Sequence, residues 1–140
     1  MKEAPPRQRF ALLALAAVIV AGCGGSGPAS RDSGIEGVPI PAEARQTDDW
    51  LGFNLFIVPT MSYDELVAFY DRTMPVRRGF RDWSLCATGE EVYGDDLRLY
   101  RIYTRGSDDA LAVVAASEDS LTGVLIAVGE KAREGVDEYC

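Results

Sequence analysis

"DLRLYRIYTRGSDDALAVVAASEDSLTGVLIAV", Asp96 to Val128, decides the fold. Three apolar-rich runs are separated by two short polar breaks. Asp96–Thr104 carries aromatic and β-branched side chains, and Ala110–Ala116 and Leu121–Val128 are almost wholly aliphatic. "RGSDD" and "SEDS" supply the Gly, Ser and Asp that tight turns favour. Turn signals at roughly 8–15-residue spacing predict an antiparallel meander.

The pattern extends upstream. "FRDWSLCAT", Phe80–Thr88, predicts another strand, with Trp83, Leu85 and Ala87 on one face and a turn around Thr88-Gly89-Glu90. Before it, Ser62-Tyr63-Asp64-Glu65 has the capping-box form: the Ser62 hydroxyl takes the Glu65 amide and the Glu65 carboxylate reaches back. Leu66, Phe69, Tyr70 and Met74 follow at helical spacing on one face, Asp64 and Glu65 sit where the helix dipole favours negative charge, and Pro75 stops the helix. "WLGFNLFIV", Trp50–Val58, reads as a first, largely buried strand ended by Pro59, and "VPIPAEARQTDD" before it as an extended loop. Glu130–Cys140 is a short helix or a tail. The expected order is β-α-β-β-β-β: an α+β domain over residues 38–140, with one helix packed on one face of an antiparallel sheet.

The N-terminal part has a different texture. Lys2, Arg7 and Arg9 against Glu3 give residues 1–22 a charge of +2, so a chain of net charge −8 leaves −10 on the remainder. A body that acidic repels phosphate backbones, which argues against nucleic-acid binding. Phe10–Ala21 is an unbroken apolar run of about 18 Å as a helix, against about 30 Å of bilayer hydrocarbon. A basic start, a short apolar run and small residues at its end form a secretory signal. Gly24–Gly37, rich in Gly and Ser, reads as a flexible tether, with 23–37 as the segment between signal and domain.

Val20-Ala21-Gly22-Cys23 resembles the lipobox of bacterial lipoproteins: one aliphatic residue, two small ones, then cysteine. The resemblance implies cleavage before Cys23, a diacylglyceryl group on its thiol, and a membrane partner through that lipid. Two or three acyl chains anchor stably where one does not. It places the domain on the outer side of the cell membrane; Gly24 after the cysteine permits transport to the outer membrane where a cell has two. The order strand, Ser-x-x-Glu-Leu-x-x-Phe-Tyr helix, Pro75, Gly79-Phe80, Trp83 strand and meander is similar in layout to a small domain of actinobacterial lipoproteins. That likeness implies an extracytoplasmic domain and carries no catalytic residue across.

The absence of histidine excludes Ser-His-Asp, Cys-His and His-ligated zinc chemistry, and no Gly-rich phosphate loop occurs. Neither a cofactor nor a metal site is expected. Paired carboxylates, among them Asp108-Asp109 and Glu118-Asp119 at the two ends of one predicted strand, read as solvated turns; the rival is a calcium site or an acid/base pair. With Cys23 lipidated, Cys86 and Cys140 are left in an oxidising compartment, where a bridge between them would contribute on the order of 4 kcal/mol. The alternative is two unpaired thiols. If the helix covers one sheet face, Arg98, Tyr100, Arg101 and Tyr103 form a candidate binding surface on the other. The expected function is a non-catalytic binding or accessory module of the cell envelope with a protein partner. The alternatives are a carboxylate-dependent enzyme on cell-wall glycan and a purely structural surface protein.

Overall fold

A computed structural model describes residues 29–47, 53–77 and 79–140. The lipobox with Cys23, the signal, the start of the tether and Trp50 lie outside them. In chain order the elements are β1 (Ser30–Asp32), β2 (Pro39–Pro41), β3 (Arg45–Gln46), β4 (Asn54–Ile57), α1 (Tyr63–Thr73), β5 (Ser84–Tyr93), β6 (Asp96–Arg105), β7 (Asp109–Glu118), β8 (Leu121–Val128) and α2 (Glu130–Tyr139). β1 and β2 form a small hairpin. The other six strands form one antiparallel sheet in the order β3-β4-β8-β7-β6-β5.

The strands β6 to β8 of the meander lie as the turn signals predict, in an α+β architecture. The expected order is corrected on one count, since three short strands precede β4; of the two readings of Glu130–Cys140, the chain takes the helix. Strand pairing also begins at Ser30, inside the stretch expected as tether. There Asp32 Oδ1 accepts from the Gly34 amide at 2.7 Å, Gly34 and Gly37 turn the chain at positive φ, and Val38 and Ile40 are buried in the core.

β5 differs most from its expected form. The turn falls at Gly94-Asp95, with Gly94 at φ +63°, and not at Thr88-Gly89-Glu90. Gly89 stays in the strand because the Tyr100 side chain crosses over it; a Cβ there would lie 2.5 Å from the Tyr100 hydroxyl. A bulge sets Leu85 opposite Tyr103 but Ala87 opposite Ile102. Cys86 is the extra residue, so Leu85 and Ala87 face opposite sides of the sheet. Leu85 packs with the α1-side core and Ala87 with the other side.

α1 covers the first face. Its start is the capping box, with the Glu65 amide donating to Ser62 Oγ at 3.2 Å and the Ser62 amide to Glu65 Oε2 at 2.8 Å. Leu66, Phe69, Tyr70 and Met74 are buried against Phe56, Val113, Val124 and Ile126 of the sheet. Each large apolar side chain so buried contributes roughly 1.5–3 kcal/mol. The β1–β2 hairpin closes the side of this layer, where the Tyr70 hydroxyl donates to the Pro39 carbonyl at 3.0 Å.

The far end of α1 is held by a strand residue. The Arg101 guanidinium on β6 is almost fully buried. It donates to the carbonyls of Tyr70 (2.6 Å) and Met74 and pairs with Asp71 Oδ1 at 2.5 Å. The last carbonyls of a helix lack partners within it, and the dipole favours a cation there. A second arginine, Arg105, lies 4.0 Å over the Trp83 ring and pairs with Asp109, Asp82 and Glu36. It joins the β6–β7 hairpin to the two loops beside it.

Arg101→Ala strands the buried Met74 carbonyl, while the Tyr70 carbonyl keeps the Met74 amide at 2.8 Å, and leaves a void; it should destabilise by about 3 kcal/mol in urea unfolding. Asp71→Ala, whose carboxylate is 61% exposed, should cost under about 1 kcal/mol; equal losses would contradict this account. Burial and the neighbouring Glu90 carboxylate push the Tyr63 hydroxyl up to about 12. Burial raises Tyr70 further, against the lowering effect of Arg101. Both hydroxyls are kept neutral more firmly in the folded than in the unfolded chain. Their contribution is therefore complete below about pH 10; that of Tyr63 is lost as pH rises through about 12 and that of Tyr70 above it. Tyrosinate absorbance should show late-titrating groups, with Tyr63 and Tyr70 beside the also raised Tyr93, Tyr103 and Tyr139, and Tyr70→Phe should remove one of the latest.

Candidate functional site

The four residues expected to share one binding surface do not share a face. Side chains alternate along a strand, and the register sets Tyr103 opposite Leu111 and Arg101 opposite Val113 on the α1 side. Both Arg101 and Tyr103 are buried there, so neither is available at a surface. Arg98 and Tyr100 lie on the second face, opposite Ala116 and Val114.

That second face is partly covered. α2 lays Ala132 and Val136 on Ala110, Ile102 and Ala127, making a smaller apolar cluster. α2 has good helix formers over 130–134 and an Arg133–Asp137 pair one turn apart, but weak ends. Its N-cap Gly129 makes no side-chain cap bond, Gly135 interrupts it, and its last turn lacks a base. Tertiary ties hold it. The Tyr139 ring packs 4.8 Å from that of Tyr100 at a tilt of 50°, and its hydroxyl donates to Glu91 Oε1 at 3.2 Å. Cys140 meets Cys86 at disulfide distance, with Cα atoms 5.9 Å apart. The bulge in β5 is what presents Cys86 to it.

Beyond α2 the described residues leave an apolar groove of about 580 Å³ on this face. Phe53 just before β4, with Leu55 and Ile57 on it, forms one side, and Val114, Ala116 and Leu125 continue across β7 and β8. Gly123 lowers the floor between Ile57 and Ala116. Its absent side chain is also required by close packing, because a Cβ would sit 2.9 Å from the Phe56 carbonyl oxygen. Arg98 flanks the groove on β6, its guanidinium 5.0 Å from the Tyr93 ring centroid, and makes no ion pair among the described residues. Glu118 and Asp119 stand at the end where β7 turns into β8.

The groove can desolvate apolar side chains, with the carboxylates of Glu118 and Asp119 at its turn end. Among the described residues no cluster of His, Cys, Asp and Glu is placed to hold a metal. The pairs Asp108-Asp109 and Glu118-Asp119 sit at opposite ends of the ten-residue β7, about 30 Å apart. Glycosidase carboxyls act about 5–10 Å apart, so these two pairs cannot work as one acid/base couple. Asp109 is engaged with Arg105 at 2.8 Å.

The groove itself was not anticipated from the sequence. Its signal was present in "ALAVVAA" and "LTGVLIAV": strands apolar at consecutive positions are buried on both faces, and a single helix covers only one. No protein-family model, curated protein or solved structure matches the chain.

Separating Cys86 from Cys140 tests what holds α2. A bridge between them would contribute on the order of 4 kcal/mol, the loop-closure value for a separation of 54 residues, which a double Cys→Ser variant would lose. Hydrogen exchange should quicken in α2 while α1 stays protected. Unchanged exchange in α2 would show that Tyr139 and Val136 suffice.

Proposed function

We propose that this protein is a lipid-anchored module on the outer side of the cell membrane that binds an envelope protein through the groove. The observation that carries the reading is the half-covered second face of the sheet. An apolar groove left open beside a helix that covers its continuation is the default binding site of such a fold.

Three features support the location. The basic start and short apolar run form a secretory signal, and Val20-Ala21-Gly22-Cys23 supplies the lipid attachment point. No helix among the described residues is long and apolar enough to cross a membrane. Cys86 and Cys140 at disulfide distance suit an oxidising compartment, where we propose that they are bridged. A protein partner suits the site because the groove is a shallow face on a sheet, not an enclosed cavity.

Lipidation is read directly from processing. The wild-type chain should incorporate radiolabelled palmitate and lose residues 1–22. Cys23→Ala should do neither, accumulating as the uncut precursor. Normal cleavage of Cys23→Ala would refute the anchor.

A further inference from the structure

The apolar floor of the groove accepts any apolar ligand, so the rim must decide between them. Glu118 and Asp119 line its turn end. The register places the β5–β6 turn at that same end: Tyr93 pairs with Asp96, Leu97 with Ser117, and Glu118 with Leu121. Asp95 and Asp96 therefore join Glu118 and Asp119 around one end of the sheet. Large apolar side chains are also exposed there, with Val92 at 68%, Leu121 at 57% and Tyr93 at 54%. The opposing charge on the groove is Arg98, which stacks on Tyr93. An acidic rim around an exposed apolar floor repels fatty-acid carboxylates and anionic head groups and attracts cations.

Resting on the reading of the groove as the binding site, we propose that its occupant is a basic amphipathic segment of a partner protein. Apolar side chains of that segment fill the floor over Gly123 and Ala116, displacing water from Leu55, Ile57 and Leu125. A lysine or arginine at one end of the segment meets Glu118 and Asp119. The cation stays at the solvated rim, so the charges guide encounter and orientation while the floor supplies the burial.

The test uses the full-length protein in nanodiscs and two labelled synthetic peptides. They share one pattern of leucines and differ in carrying lysine or glutamate at the polar positions. Fluorescence anisotropy should show the lysine peptide bound on the order of tenfold more tightly than the glutamate peptide, a preference that shrinks with salt. Glu118→Lys with Asp119→Lys should weaken it by on the order of tenfold. Ala116→Phe, which fills the floor, should abolish binding. Circular dichroism checks that each variant folds, and the charge reversal, on exposed turn residues, serves if Ala116→Phe does not. If both peptides bind equally and Ala116→Phe stops both, the groove remains the binding site and the basic partner is overturned. If laurate occupies the groove and neither peptide does, the ligand is an acyl chain and the proposal fails. If nothing binds, the site reading fails with it.

Discussion

A guanidinium buried between the sheet and the end of a helix sets the geometry of this domain. Arg101 stands near the middle of β6, yet its hydrogen bonds go to Tyr70 and Met74 at the C-terminal turn of α1. The charge leaves water only because carbonyls, a helix dipole and Asp71 replace it. The arrangement fixes where α1 ends along the strand, a position that apolar packing alone leaves adjustable. With the helix so placed, Leu66, Phe69 and Tyr70 come down on the central strands.

The two faces of the sheet are covered by unequal means. On the first, a well-capped helix and the β1–β2 hairpin bury a continuous core. On the second, a poorly capped helix spans part of the sheet and depends on Tyr139 and Cys140 to stay there. The groove is what this inequality leaves. Its floor is shaped by Gly123, which close packing against Phe56 already requires to be small. A structural demand on one residue thus creates depth on the face a partner would meet.

Much of the fold was legible because its signals are local. The capping box of α1, Pro75 after it and the polar breaks of the meander each act within a few residues. What escaped were effects that depend on a neighbour. Gly89 reads as a turn residue until Tyr100 is seen lying over it. Leu85 and Ala87 read as face-mates until Cys86 intrudes between their pairing partners. The candidate surface failed for a simpler reason: Arg98 and Tyr100 differ in parity from Arg101 and Tyr103, so a two-residue period alone divides them between faces. The groove escaped because a doubly apolar strand announces that both faces are buried without naming what covers the second.

The bulge at Cys86 has a consequence for solubility. β5 is an outer strand of the sheet, and its free side presents unpaired amides and carbonyls to any passing chain. A regular ten-residue edge would template an added strand along its whole length. Here an incoming strand matched to Ser84 and Leu85 falls one residue out of step with Ala87 onward, turning its apolar side chains to the wrong face. Glu90 and Glu91 further along add charges that oppose such stacking. The residue that meets Cys140 therefore also guards the edge of the sheet against aggregation.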